Sequence, residues 1–370
     1  MPIGAMQIGA GATIAVVGGG LASGLVALAL ARRGASVLQL AGPAAGQAER
    51  AGLPLQAVAT ALSYGALQGR GPCRQWQWLE RLHGPLGFRP SPLMLHGLPA
   101  PLALLPPWSL ALGSRALAVA RVDPPQLLAA LPAALAAAGV EQRWGVVQQL
   151  QPLAGGGWQL QLQNCCEASS SQNFQPVQPV QPVQQFQQVV LAAGAGCREL
   201  WPALPERLGV SWAGVLSLPR NPGGCRWLDL VGRGWIVQAY RWQRPLLEAR
   251  AASLSAAEWI VDPGLAPAGE GVVLGQISLV RPGGAAGAPP DAALMEARLR
   301  QGLARLDPAL ARLEAPYRQV PVSFCSNGQP LAGPLAGAEG LWALCGFSGA
   351  FALLPAAAEQ LAARVVAAAS

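Results

Sequence analysis

Three consecutive glycines, Gly18-Gly19-Gly20, followed by Ser23, are the residues of this chain best placed to do chemistry. Glycines at this spacing let the backbone turn tightly, approach a phosphate and pack a helix against a strand. The pattern G-x-G-x-x-G is met at Gly18 and Gly20, and Ser23, another small residue, takes the third position. An apolar run, Thr13 to Val17, leads into the turn, and Leu21 and Ala22 open a long Ala/Leu segment that ends at Ala31. Arg32-Arg33-Gly34 then gives way to a second apolar run, Ser36 to Leu40. The order reads as strand, glycine turn, helix, turn and strand. Such a unit sets free N–H groups and the positive end of a helix dipole against a dinucleotide pyrophosphate. An acid usually ends the second strand and binds a ribose hydroxyl. Here Ala41 stands at that place, and no acid follows before Glu49.

Composition narrows the chemistry further. The 370 residues suffice for two domains, and 52% are hydrophobic while only 12% are charged. All 25 basic residues are arginine. Without lysine there is no Schiff base, no covalent pyridoxal phosphate and no P-loop lysine. His83 and His96 stand beside Gly84-Pro85 and Gly97 and read as loop residues. The seven cysteines show neither a C-x-x-C pair nor zinc spacing, so no metal site is expected. Their odd number and scatter suit buried thiols in a reducing, cytoplasmic setting. The net charge of +7 comes from dispersed arginines, which reads as a basic surface and not a nucleic-acid patch. Thr13 to Ala31 is uncharged, but its glycines and the strand after it argue against stable membrane insertion. Met1 to Ala12 reads as a leader containing a decoy, Gly9-Ala10-Gly11, with no strand before it.

Further along, Ala57 to Leu67 sets Thr60, Ser63, Tyr64 and Gly65 among apolar residues, and Cys73 to Leu82 has helical spacing with Trp76, Leu79 and Leu82 expected in the core. Asp123-Pro124-Pro125 is a helix start, with Gly139 past its end. Val140–Trp144, Val146–Gln151 and Trp158–Gln163 read as strands. Residues 165–188 form a Gln/Pro-rich insert, with Gln-Pro-Val repeated three times, expected to be solvated and mobile. Val189 to Gly196 is a buried strand ending in glycines; Pro202 and Pro205 prevent a long helix there. Trp212–Leu218, Trp227–Val231, Trp235–Tyr240, Glu258–Val261 and Val272–Val280 are expected strands of an antiparallel sheet. Asp291 to Leu306 is an N-capped helix, and Leu341–Cys345 with Gly346-Phe347-Ser348-Gly349 is a strand and turn before an apolar C-terminal helix.

Four of these motifs fall in a recognisable order: the first glycine turn, Val189–Gly196, Ser326-Asn327-Gly328-Gln329-Pro330-Leu331-Ala332-Gly333-Pro334, and Leu341–Pro355. Together they resemble the FAD-dependent oxidoreductases of the D-amino-acid oxidase family, which includes glycine and sarcosine oxidases. The resemblance runs from about Thr13 to the C-terminus, excluding the glutamine-rich insert. It implies an α/β fold with a discontinuous, Rossmann-type FAD-binding domain (13–75, 120–212 and 320–370) and an inserted β-rich substrate domain (76–119 and 213–319).

By the same resemblance, the turn Gly18, Gly19, Gly20, Leu21, Ala22 and Ser23 holds the FAD pyrophosphate. Ser63, Tyr64 and Gly65 lie near the flavin, Val147 meets adenine through its backbone, and Gly194 closes the nucleotide site. Gly346, Phe347, Ser348 and Gly349 face the carbonyl edge of the flavin ring, where negative charge grows on reduction. Small amino acids or secondary amines are the implied substrates, oxidised at the carbon beside nitrogen, with O2 or another acceptor taking the electrons. The chain departs from the family at Ala41, at Asn327 in place of a tail-motif acid, and at Val322 and Gly349 in place of carboxylate-binding arginines. Trp235 stands where a substrate-facing tyrosine is expected, and Arg318 beside Tyr317 offers a replacement fork. Cys325 is off the position of covalent flavin attachment. Two other readings stay open: a flavoenzyme acting on a modified RNA base, and a degenerate nucleotide-binding module without catalysis.

Overall fold

The computed structural model describes residues 14–41, 59–60, 62–63, 65–98, 119–163, 184–240 and 243–369. Tyr64 and most of the glutamine-rich insert lie outside the described residues. Strand β1 (Ile14–Val17), helix α1 (Leu21–Arg32) and strand β2 (Val37–Ala41) form the expected unit. The two strands pair in parallel, Ile14 opposite Val37 and Val17 opposite Leu40. Helix α1 is apolar nearly all round, with Leu21 and every residue from Ser23 to Leu30 buried, as suits a helix covered on most sides.

Around β1 the main sheet runs in the order 331–335, 338–345, 188–191, β1, β2, 141–144. All neighbours are parallel except the edge strand Leu331–Leu335, which pairs antiparallel with Ala338–Cys345. One face is covered by α1, the Arg70–His83 helix and the C-terminal helix Ala350–Ala369, whose Leu28, Trp76 and Leu354 share a core. The other face is covered by an antiparallel meander of Val146–Pro152, Trp158–Gln163 and Gln184–Phe186.

A second six-stranded sheet has the order 317–325, 208–218, 271–280, 258–268, 236–239, 93–96. It is antiparallel apart from the short Leu93–His96 edge, which runs parallel to Ile236–Ala239. Helix Ala292–Leu306, capped by Asp291 through Ala293 and Leu294, buries Met295, Leu299 and Leu303 against this sheet.

Three expectations need correction. The Trp227–Val231 run is helical, within Arg226–Gly232; apolar runs this short do not separate strand from helix by periodicity. Leu82 is 46% exposed, whereas Trp76 and Leu79 are buried as expected. His83 and His96, read as loop residues, instead end the Arg70–His83 helix and the Leu93–His96 strand. Of the expected domain boundaries, residue 75 falls inside the Arg70–His83 helix, which packs beside α1, and residues 212 and 319 fall inside continuous strands of the second sheet.

The C-terminal helix is long and apolar enough to cross a membrane by length and composition. Here its Phe351, Leu354, Ala358, Leu361 and Val365 are buried in the core shared with α1.

Candidate active site

A cavity of about 780 Å³ lies between the two six-stranded sheets, within the size range of small-molecule and cofactor sites. Its first end is built from backbone. Gly18 has φ +138°, and a Cβ there would meet the Ala192 carbonyl oxygen at 2.4 Å, so only glycine fits between β1 and the 188–191 strand. Gly18 N–H donates to Leu40 O at 2.8 Å, which ties the turn to the end of β2. Gly20 is the N-cap of α1; it offers no side chain, and no acid stands in the first turn. The start of this helix therefore opens on the cavity at Gly18, Gly20, Leu21 and Ala22, and among the described residues Leu21 N–H finds Thr60 Oγ1 at 3.4 Å. Unsatisfied first-turn donors without a competing carboxylate are what a pyrophosphate requires.

Ser23 does not line the cavity. It is fully buried, donates to Gly20 O at 2.8 Å and accepts from Gln39 Nε2 at 3.1 Å. Gln39 also donates to Gly18 O at 3.2 Å, so one amide on β2 braces both ends of the turn. This explains how serine occupies the third glycine position: its hydroxyl is satisfied inside the turn. Gly19 is likewise not in the cavity wall. Gly65 has a packing role, since a Cβ there would sit 1.7 Å from Val122 O.

Ser63, Val147 and Gly194 line the cavity, as do Gly346, Phe347, Ser348 and Gly349. Gly346 has φ +80° and donates its N–H to Ser323 Oγ at 3.2 Å. Cys345 also lines the wall, but its hydrogen bond with Cys197 and its burial hold the thiol well above the ordinary range. That is the reverse of an activated nucleophile. Among the described residues, no group of His, Cys, Asp or Glu could hold a metal ion.

Trp235, Tyr317 and Arg318 do not line the cavity. Trp235 packs against the core under the second sheet, and so does Tyr317, whose hydroxyl donates to Gln319 Oε1 at 3.2 Å. Burial pushes the Tyr317 hydroxyl far above the ordinary tyrosine range. Arg318 is an exposed strand residue. Val322 and Gly349, where the resemblance implied arginines, both line the cavity.

Sequence reasoning missed the polar wall on the second-sheet side. Arg244, 6% exposed, lines the cavity and donates through Nε to Glu248 Oε1 at 2.7 Å. Glu248, 1% exposed, accepts from Ser348 Oγ at 2.6 Å through its other oxygen and from Ser211 Oγ at 3.4 Å. Asp262 lines the same wall and accepts the backbone N–H groups of Gln243 and Arg244, both at 3.0 Å. Burial raises its carboxyl above the usual range, against the opposing pull of those two N–H bonds and of the Arg244 and His96 charges. An Arg–Glu pair four residues apart usually marks a solvated helix face, so spacing alone did not single it out. Gln39 carried a faint signal, as a polar residue inside an otherwise apolar strand.

The model of the family "FAD dependent oxidoreductase" (DAO) matches residues 101–364, more than half of the chain. No curated protein matches it. Among solved structures, glycine oxidase from Geobacillus kaustophilus superposes with a TM-score of 0.61 at 17% identity, covering 96% of this chain and 94% of that one. L-proline dehydrogenase from P. horikoshii gives 0.61 at 14% identity, covering 96% and 94%. Iminodiacetate oxidase from Chelativorans sp. BNC1 gives 0.59 at 16%, covering 96% and 95%. At these identities the superpositions establish the fold, and the family match carries the assignment: this chain belongs to the DAO family of FAD-dependent oxidoreductases.

Proposed function

We propose that this protein binds FAD in the central cavity and oxidises a C–N bond of a small amino acid or secondary amine. The observation that carries this reading is one cavity of about 780 Å³ lined by the start of α1, by the Gly346–Gly349 turn and by the second sheet. In the proposed arrangement Gly20, Leu21 and Ala22 take the pyrophosphate through backbone N–H groups, Gly18 leaves room for it to approach, and Val147 and Gly194 flank the nucleotide. Phe347 to Gly349, just before the Ala350–Ala369 helix, lie where backbone N–H groups and a positive dipole end can meet the flavin's carbonyl edge.

When bound, FAD would supply a hydride acceptor for the carbon beside nitrogen and a route for the electrons to O2 or another acceptor. The chain itself holds that C–H bond over the ring and keeps water away, since orientation can supply most of the rate. The wall is suited to this role, because Val237, Ile236, Trp212, Pro321 and Val322 are apolar and the charged side chains are confined to a few positions. The readings that go with this function are a cofactor half on the parallel sheet, a substrate half on the antiparallel sheet, and a cytoplasmic setting. Anaerobic titration of the FAD-loaded protein with a panel of amino acids and secondary amines tests the reaction. Bleaching of the flavin band by at least one class supports it; a band that no member of the panel bleaches removes it.

A further inference from the structure

We infer that Glu199 binds the ribose hydroxyls of the adenosine half of FAD, in the role that Ala41 leaves open. This inference rests on the FAD-binding reading above. A carboxylate that accepts from ribose hydroxyls is a common way for a dinucleotide fold to fix the sugar, and its usual place is the end of β2. Ala41 stands there and offers no side-chain acceptor. Glu199 and Asp262 are the two acids among the described residues that line the cavity. Asp262 already turns both oxygens to the backbone N–H groups of Gln243 and Arg244. Glu199 is exposed, and no described residue pairs with its carboxylate. Its neighbour Arg198 is directed instead at the carbonyl oxygens of Leu204, Pro205 and Leu208. The Glu199 carboxylate is therefore an open acceptor in the cavity wall.

The fold places this carboxylate on the nucleotide side. Strand 188–191 is a parallel neighbour of β1, so Gly194–Gly196 and the short Cys197–Leu200 helix leave the sheet at the same edge as the Gly18 turn and the end of β2. Open parallel sheets bind their ligands at that edge. Gly145 donates its N–H to Ala41 O at 3.0 Å, and Gly145, Val146 and Val147 continue from there along the cavity wall. Val147 belongs to the core cluster into which Leu200 and Trp201 pack, with Trp201 edge-on to Trp158 at 5.4 Å. The residues just after Glu199 are thus anchored on the strand that begins beside Ala41, while Glu199 itself stays on the cavity. The acid that β2 lacks is supplied from across Val147, by the helix that follows the neighbouring strand.

Changing the contact from both sides tests the assignment without turnover. The probes are FAD and its analogue built on dideoxyadenosine, which lacks both ribose hydroxyls, each titrated into flavin-stripped protein and followed by flavin fluorescence. The wild-type protein should prefer FAD by about tenfold or more, as expected for charge-assisted hydrogen bonds. Glu199→Ala should weaken FAD by about tenfold and leave the analogue within about twofold, so that the preference falls to about twofold or less. Retained binding of the analogue is also the control that the variant folds. A variant that loses both ligands alike, or that keeps the preference, overturns the inference, because Glu199 would then act elsewhere or not touch the sugar. So does a wild-type protein that binds the two probes equally. A wild-type protein that binds neither removes the FAD-binding reading itself, and this inference with it.

Discussion

The two ends of the cavity are made of different material. At the α1 end the contacts on offer are backbone N–H groups, open to the cavity because Gly18 and Gly20 bring no side chain and the N-cap Gly20 makes no side-chain cap. At the second-sheet end they are side chains, Arg244 and Asp262, fixed by Glu248, Ser211 and Ser348. A backbone-built site depends on conformation and tolerates any residue that preserves it, so Ser23 can replace a glycine once Gln39 satisfies its hydroxyl. A side-chain-built site depends on identity, and each member is irreplaceable by its neighbours in chemistry. The first end is suited to a constant ligand and the second to a selected one.

This contrast yields graded expectations. The largest concerns the side-chain end: Glu248→Ala leaves Arg244 charged, buried and unpaired, and should cost about 3–5 kcal/mol in chemical denaturation. A cost below about 1 kcal/mol would mean the pair is not buried as described. Next comes the backbone end. Gly18→Ala forces a Cβ against Ala192 O at φ +138° and should lower stability by about 2–4 kcal/mol while abolishing FAD retention. Retained flavin in that variant would break the backbone account. Gln39→Leu strips one donor from Ser23 and Gly18, and should cost about 1–3 kcal/mol with FAD affinity weakened but measurable.

The smallest effect lies outside both ends and serves as a control. Burial, with the Arg32 charge, lowers the His83 pKa below its ordinary value, while Glu359 opposes the shift. The neutral form is thus favoured in the folded protein. Its contribution to stability is fully present above the unfolded pKa, about 6.5, and is lost as pH falls through the lower folded value. His83→Gln should flatten the stability–pH curve below about 6.5 and leave FAD retention unchanged. An unchanged curve would mean that the ring is solvated.

The same contrast decides what could be read from sequence. The α1 end was legible because glycine spacing between an apolar run and an Ala/Leu helix encodes a conformation directly, and so was the Gly346–Gly349 turn. The parallel sheet and the Asp291 cap followed from apolar runs and capping chemistry. Arg244 and Glu248 were not legible, because their i, i+4 spacing is that of an ordinary surface pair and only the tertiary fold buries them. Tyr317 and Trp235 were expected at the substrate, yet the second sheet turns them into the core packed beneath the Ala292–Leu306 helix. Strand alternation assigns faces only once register is known, and short apolar runs do not fix register.

Cofactor binding at the α1 end is tested most simply by the visible absorption spectrum of the purified protein after incubation with FAD and desalting. A backbone-built pyrophosphate site predicts a retained flavin band that Gly18→Ala loses and that Arg244→Met with Glu248→Gln keeps. A colourless wild-type protein would contradict it, because the helix start that opens on the cavity would then not bind the proposed cofactor.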